Sequence, residues 1–490
     1  MNLSDSILEF SKIKPEHPAI IQGNLIVNYK ELNSLVNKAV SLIFSKKIKK
    51  DGIIGLCLND RIEHIILLYA AARSGFPVLP MDVRWTKIER QKIIDFFSPE
   101  IVFHEPNEFG GEKNMTLAVS CNWLKNQKEI RGFDSFKNFD KNHSFILSLS
   151  TGTTGLPKGP MITHSQMRSR FITQVKSLTF NSSDRYLSST PIYFGAGRGF
   201  VMGMIYNGAT IILLPQPYKI EKFIDMITDY NITVTLVVPT TIRRLLNLKI
   251  SGKLLLKNLR LLLSTGAVLH ADERLKVIKN ISPYLLNYYG STEGGGISVL
   301  KWDDPINKSE SVGRLVYGTN LQIVNEEDKV LPRNKLGRIR YSGPSVADNF
   351  FLNDNSGEAE FKNGWFYPGD LGYLDEDGYL YLKGRSKDII LRGGVNIYPK
   401  EIEEVLLEHP KVIDVSVLGW PSSLKGEEIA AFVVCVEAGK ITSGELLKYC
   451  KKNLAPYKIP YDIFLINELP KNSVGKVDKS KLSGMLKKII

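Results

Sequence analysis

An α/β protein is predicted: a large N-terminal domain of α/β subdomains with a β-rich subdomain, followed by a small α+β domain. Three observations carry this. Short apolar strands alternate with amphipathic helical stretches in the first half, as in Ile53–Leu58, Ile65–Ala72 and Val78–Pro80. From about Leu321 the pattern changes to short strands broken by turn residues at Asn325–Asp328 and Asp375–Gly378. Beyond Asp388, Pro399 opens a helix with Ile402, Val405 and Leu406 on one face and Pro410 closes it; Ile413, Val415 and Val417 then alternate with polar residues. The polar, glycine-led segment Gly384–Asp388 is the expected boundary, dividing the chain into 1–386 and 387–490.

The 490 residues exceed what one ordinary core holds, which agrees with more than one domain. Hydrophobic residues make up 43% and charged residues 23%, a globular balance, and no apolar run is long enough to span a bilayer. Met1–Lys14 lacks the pattern of a secretory signal, so a cytoplasmic location is expected. Cys57, Cys121, Cys435 and Cys450 are too scattered for a zinc, redox or disulfide framework and read as buried, reduced thiols. The net charge of +13 would suit nucleic acid, an anionic membrane surface or small polyanions. Lysine is dispersed and no aromatic-interleaved basic block stands out, so no nucleic-acid partner is expected.

The chemistry-bearing stretch begins where the strand-like Ser144–Leu149 runs into a loop dense in glycine and hydroxyls: Ser150, Thr151, Gly152, Thr153, Thr154, Gly155, Leu156, Pro157, Lys158 and Gly159. Glycines let backbone N–H groups approach phosphate oxygens, hydroxyls donate further hydrogen bonds, and Lys158 adds charge. Pro157 and Ser150 exclude the two commonest nucleotide loops. His164 follows this loop and reads as structural, and the histidines show no metal-ligand spacing.

With four further segments, this loop resembles the signature of the adenylate-forming superfamily, in its acyl-CoA synthetase branch. Tyr288–Glu293 (YYGSTE) is similar to the family's adenine and magnesium motif, and Trp365–Asp370 (WFYPGD) to its ribose motif. Gly384–Asp388 (GRSKD) is similar to its hinge, and Leu469–Lys476 (LPKNSVGK) to its C-terminal lysine motif. The resemblance implies ATP, Mg²⁺ and coenzyme A as ligands, with a carboxylic acid activated as its acyl-AMP before transfer to a thiol. It also implies a mobile C-terminal domain. By it, Gly266, Ala267, Tyr288, Tyr289 and Gly290 line the nucleotide, Tyr289 offering an aromatic face. Thr292 supplies a hydroxyl to a phosphate or carboxylate oxygen, and Glu293 an oxygen ligand for Mg²⁺. Asp370 accepts ribose hydroxyls, Arg385 donates to the sugar or a phosphate, Lys387 is the hinge, and Lys476 is the catalytic cation of adenylation.

The resemblance places the acyl pocket at Tyr193, Phe194, Gly195, Ala196, Arg198, Thr265, Gly295 and Gly296. Its walls are mostly small, which suits a medium-sized, aromatic or branched acyl group better than acetate. Phe194 stands where many members carry histidine, so its task is steric, and Leu391 replaces a lysine that some members use in the second step. Arg198 has two readings here: a structural arginine, or a partner for a second anionic group on the substrate. Arg392–Glu403 resembles acyl-CoA synthetases, which favours coenzyme A. Loading of a separate carrier protein remains open, as does a non-catalytic nucleotide-binding protein of the same fold.

Overall fold

A computed structural model describes residues 2–106, 115–120, 123–130, 140, 142–149, 159–248, 254–351, 360–392, 395–422, 426–436, 441–472 and 476–489. Two compact units divide the chain, Met1–Leu321 with Tyr341–Phe366, and Gln322–Arg340 with Tyr367–Ile490.

Parallel strands dominate the first unit, as the alternating pattern requires. In one sheet Ile54–Cys57 pairs in parallel with both Val78–Pro80 and Ile101–His104, and Val78 lies opposite Ile146 of the strand Ser144–Leu147. A nine-stranded sheet carries Arg185–Ser188, Val234–Val237, Leu261–Ser264 and Leu285–Ser291 as successive parallel neighbours, then turns antiparallel at Gly295–Leu300. The central strands Val234–Val237 and Leu261–Ser264 are buried throughout, as in a parallel sheet covered on both faces. The helix Ile62–Ser74 is buried along nearly its whole length and stops where Gly75 takes φ 77°, a left-handed cap that glycine adopts without strain. No helix among the described residues is long and apolar enough to cross a membrane.

The β-rich stretch expected from Leu321 is present, and its pairings fall within both units. Tyr341 of the strand Gly337–Ser342 lies opposite Phe366 in the first unit, and Gly337 opposite Gly372 in the second. Compactness therefore divides the chain differently from the expected 386/387 boundary, since Tyr367–Arg385 groups with the C-terminal residues. The Lys400 ammonium donates to the Leu382 carbonyl at 2.6 Å, tying the strand Leu380–Arg385 to the helix Pro399–Leu407.

In the second unit that helix buries Ile402 and Leu406, as its spacing predicts. The following strand, Val412–Ser422, departs from the simple alternation expected for Ile413, Val415 and Val417. A bulge between Val412 and Asp414 shifts the register, so Ile413 is 52% exposed while Val415 and Val417 are buried. Cys57 and Cys450 are buried and Cys435 half-buried, all as free thiols, whereas Cys121 lies outside the described residues.

Leu406→Ala is expected to lower the unfolding free energy of the second unit by about 2–5 kcal/mol in urea titrations. Ile413→Ala should change it by no more than about 0.5 kcal/mol, because the bulge has already put that side chain in solvent.

Candidate active site

The carboxyl ends of parallel strands are where an open α/β sheet binds ligands, and the first unit gathers its candidate residues there. Thr265 follows the strand Leu261–Ser264; its hydroxyl donates to the Tyr288 carbonyl at 2.6 Å, joining two neighbouring strand ends. Gly266 then takes φ 90°, and it and Ala267 are exposed. A residue with a Cβ is disfavoured in that conformation, so the exposed backbone there is available to a ligand. The Tyr288 ring is buried in the core, edge-on to Phe200 with centroids 5.7 Å apart. Tyr289, the next residue, is half-buried, and Gly290 is exposed.

Thr292 and Glu293 lie in the turn between the strands Leu285–Ser291 and Gly295–Leu300. The turn is held by a residue the sequence did not single out. Arg170, on the helix His164–Leu178, donates through Nη1 to the Thr292 carbonyl at 3.1 Å and through Nη2 to the Glu293 carbonyl at 2.6 Å. Its Nε donates to the Ser345 carbonyl at 2.9 Å. Desolvation pushes this guanidinium down to about 10, only partly offset by Tyr341 and Glu293. Gly295, at φ 72°, packs so closely on the Arg170 side chain that a Cβ would lie 3.0 Å from Cγ, and Gly294 fits under the Tyr341 ring. The Ser291 hydroxyl bonds the Tyr341 hydroxyl at 2.6 Å and accepts from the Gly294 N–H at 2.9 Å. The glycines therefore serve close backbone approach, and Gly296 in particular lies against the Tyr288 hydroxyl.

The expected phosphate loop, Ser150, Thr151, Gly152, Thr153, Thr154, Gly155 and Lys158, lies outside the described residues. Its flanks are ordered as an antiparallel pair, Ser144–Leu147 with Met161–Thr163, and the Ser148 N–H donates to the Pro160 carbonyl at 3.1 Å. Thr163 caps the helix that carries Arg170, in a reciprocal box with Gln166. The flank of the loop and the Thr292–Glu293 turn are thus linked through one helix. His164, at its start, is buried against Phe145, and desolvation pushes its imidazole down to about 3, in keeping with a structural residue.

Around the expected acyl pocket, Gly195 and Ala196 are exposed at the start of the helix Gly195–Tyr206, and Phe194 and the buried Tyr193 meet edge to face at 4.8 Å. Arg84 stacks over both rings, 5.6 Å from Tyr193 and 5.3 Å from Phe194, while gripping Asp82 through Nε and Nη2. Arg198 is 2% exposed, and its Nη1 donates to the carbonyls of Ile192 at 3.3 Å and Tyr193 at 3.1 Å.

In the second unit Asp370 and Arg385 lie opposite each other on antiparallel strands and form an ion pair, Nε to Oδ1 3.1 Å. Lys387 occupies a single 3₁₀ turn, Ser386–Asp388. Partial desolvation lowers its pKa, helped by Arg385 and Lys479. Leu391, in the place of a family lysine, is 55% exposed. Lys476 is exposed, and its backbone is clipped to Asn472: the Lys476 N–H donates to Asn472 Oδ1 at 2.9 Å, and the Asn472 N–H to the Lys476 carbonyl at 2.8 Å. Asn472 was legible only as part of its motif, not as the residue that closes it. Among the described residues no group of three or more His, Cys, Asp and Glu could hold a metal. One carboxylate at Glu293 fits the way Mg²⁺ is usually held, by a single acidic side chain with substrate phosphates and water.

The Asp60 carboxylate, 4% exposed, anchors the pocket segment by accepting from the Ile192 N–H at 2.6 Å. Burial pushes this carboxyl up to about 6 against the opposing pull of that bond and of Arg84. With the folded pKa raised, its stabilising contribution is complete below about pH 4 and is lost as pH rises through about 6, about 3 kcal/mol in all. Asp60→Asn keeps an acceptor and cannot ionise, so its unfolding free energy should fall less steeply between about pH 4 and 7 than the parent's.

Comparison with known proteins supplies the family. The family model for AMP-binding enzymes matches residues 9–351, and that for the AMP-binding enzyme C-terminal domain matches residues 401–476. A 2-succinylbenzoate–CoA ligase of Bacillus pumilus is 28% identical over 479 residues, 97% of this chain and 96% of that protein. An indoleacetate–CoA ligase of Aromatoleum aromaticum is 26% identical over 496 residues, 98% of this chain and 97% of that protein. Among solved structures, ATP-bound MatB from Rhodopseudomonas palustris superposes with a TM-score of 0.91 at 25% identity, covering 100% of both chains. The o-succinylbenzoate CoA synthetase of Bacillus subtilis, in complex with its acyl-adenylate intermediate, gives 0.87 at 25% identity over 97% of each chain. With one model spanning most of its length and the other its C-terminal part, this chain belongs to the AMP-binding enzymes, the adenylate-forming family whose motifs it carries.

Proposed function

We propose that the protein joins a carboxylic acid to coenzyme A in two steps. In the first, the acid's carboxylate oxygen attacks the α-phosphorus of ATP, and the bond to the β-phosphate oxygen breaks to release pyrophosphate. In the second, the thiol sulfur of coenzyme A attacks the acyl carbon and AMP departs with its bonding electrons. The observation that carries this reading is the Arg170 clamp. Three main-chain carbonyls held by one guanidinium keep the Thr292–Glu293 turn rigid, which is what a preorganised phosphate and carboxylate site requires.

The residue roles follow from chemistry. Thr292 donates to an oxygen of the reacting groups, Tyr289 offers its ring to adenine, and exposed backbone at Gly266, Ala267 and Gly290 borders the nucleotide. Mg²⁺ held at Glu293 would neutralise phosphate charge. Asp370 accepts from ribose hydroxyls, with Arg385 beside it to orient the carboxylate, and Lys476 supplies the cation for the charge that develops during adenylation. Phe194, braced by Tyr193 and Arg84, shapes the acyl pocket without exchanging a proton. A hinge at Lys387, between 1–386 and 387–490, would have to release the contact of Lys400 with Leu382 and the Lys383–Glu404 pair at 3.9 Å. Partly exposed polar contacts of this kind are worth only about 0–1 kcal/mol each, so these two oppose the motion little.

Acid-dependent pyrophosphate release from Mg-ATP, over fatty, aryl and dicarboxylic acids with and without coenzyme A, tests the reading. Lys476→Ala should slow release by about 10²–10³-fold, with an unchanged melting temperature because the side chain is exposed. Pyrophosphate release that ignores this substitution would sink the assignment of Lys476. Adenylate formed without consumption of coenzyme A would transfer the second step to a carrier protein. Arg170→Met should lower kcat/KM for ATP by at least about 10-fold, since it leaves three carbonyls without their charged donor.

A further inference from the structure

Arg198 is a buried cation that pairs with no anion among the described residues. All three of its bonds go to neutral acceptors, the carbonyls of Ile192 and Tyr193 through Nη1 and the Ser148 hydroxyl through Nη2 at 2.8 Å. Its Nε has no partner, and among the described residues no carboxylate pairs with it. Desolvation, with a smaller contribution from the nearby Arg170 charge, brings the guanidinium down to about 9. A buried unpaired charge costs several kcal/mol. Tethering two carbonyls accounts for the hydrogen bonds but leaves the charge without a purpose.

The structure also shows where an anion could meet this charge. Gly195 is exposed, and, its chain neighbours and its helix's backbone aside, a Cβ built on it would meet two atoms of the described residues within 4 Å, Ser148 Oγ at 3.5 Å and Arg198 Nη2 at 3.9 Å. The opening above Gly195 is thus floored by a hydroxyl and a guanidinium edge. It lies at the first turn of the helix Gly195–Tyr206, whose N-cap residue, Phe194, offers no side-chain acceptor to the helix N–H groups. Those N–H groups and the helix dipole favour negative charge at the same point.

We propose that Arg198, Ser148 and the helix start at Gly195 form a subsite for a second, non-reacting carboxylate, so that the acid activated is a dicarboxylic acid. The inference rests on the adenylating reading above and specifies its substrate class. The reacting carboxylate is the poorer candidate for this subsite. A full ion pair would stabilise it in the ground state and blunt its attack on phosphorus, whereas a remote carboxylate contributes binding without that penalty.

Matched acids test this: succinate, glutarate, adipate and benzene-1,4-dicarboxylate against butyrate, pentanoate, hexanoate and benzoate. Two readouts are taken, kcat/KM for pyrophosphate release and calorimetric Kd, on the parent protein, Arg198→Met and Gly195→Ala. The parent should favour at least one dicarboxylate over its monocarboxylate partner by about 100-fold or more, as expected for a site built around a polar group. Both variants should bring that ratio to within about 10-fold of unity, Arg198→Met by removing the charge and Gly195→Ala by filling the opening above it. Gly195→Ala keeps the buried arginine, so it decides the question even where Arg198→Met does not fold. A parent ratio near one overturns the proposal. So do equal losses on both members of a pair, which would make Arg198 a tether for the loop or a partner of the reacting carboxylate. Because Kd is read independently of turnover, a protein that activates no acid still decides the subsite, and that failure falls on the adenylating reading alone.

Discussion

The first unit's site depends on one guanidinium meeting the main chain. Arg170 reaches the adjacent carbonyls of Thr292 and Glu293 and that of Ser345, two segments far from it in sequence. Main-chain carbonyls cannot be exchanged by mutation, so the arrangement constrains backbone position and not side-chain identity. The glycines beside it are the counterpart of that constraint. Gly294 and Gly295 lie where a Cβ would strike the Tyr341 ring and the Arg170 side chain. The turn is thus fixed in place through its main chain by close packing and charged hydrogen bonds.

The segment 191–198 obeys a similar logic with a different charge balance. Asp60 takes the Ile192 N–H, Arg198 takes the carbonyls of Ile192 and Tyr193, and Arg84 covers the rings of Tyr193 and Phe194. Backbone donors and acceptors that would otherwise be buried unpaired are satisfied from both sides. Two of the anchoring groups are ionisable and perturbed by desolvation, Asp60 upward and Arg198 downward. Perturbed groups of this kind gather at functional sites because desolvation is accepted there for the sake of chemistry or recognition.

The second unit is held around Asp370, Lys387 and Lys476 by lighter means. Asp370 and Arg385 pair across two strands, Lys479 pairs with Asp388 beside Lys387, and Asn472 clips the backbone at Lys476. These contacts are exposed or half-exposed, and each is individually weak. Its core is separate and apolar, around Ile402, Leu406, Val417 and Ile429. Stability and positioning are thus assigned to different residues, which leaves the polar contacts free to change without unfolding the unit.

The sequence by itself determined the fold class, the order of the elements and the motifs, because each is written in local signals. Strand and helix periods, Pro399 at a helix start, and contiguous runs such as Tyr288–Glu293 and Leu469–Lys476 need no knowledge of distant residues. It also marked Arg198 as unusual, though not how it is used. Tertiary structure alone decided the rest. No local signal distinguishes Arg170 from Arg168, since its partners lie more than a hundred residues away. The burial of Tyr288, the exposure of Ile413 through a bulge, and the grouping of Tyr367–Arg385 with the C-terminal residues are likewise matters of packing. Whether a charge is paired when buried depends on which groups the fold brings beside it. For Arg198 the fold brings carbonyls and a hydroxyl, and no carboxylate among the described residues.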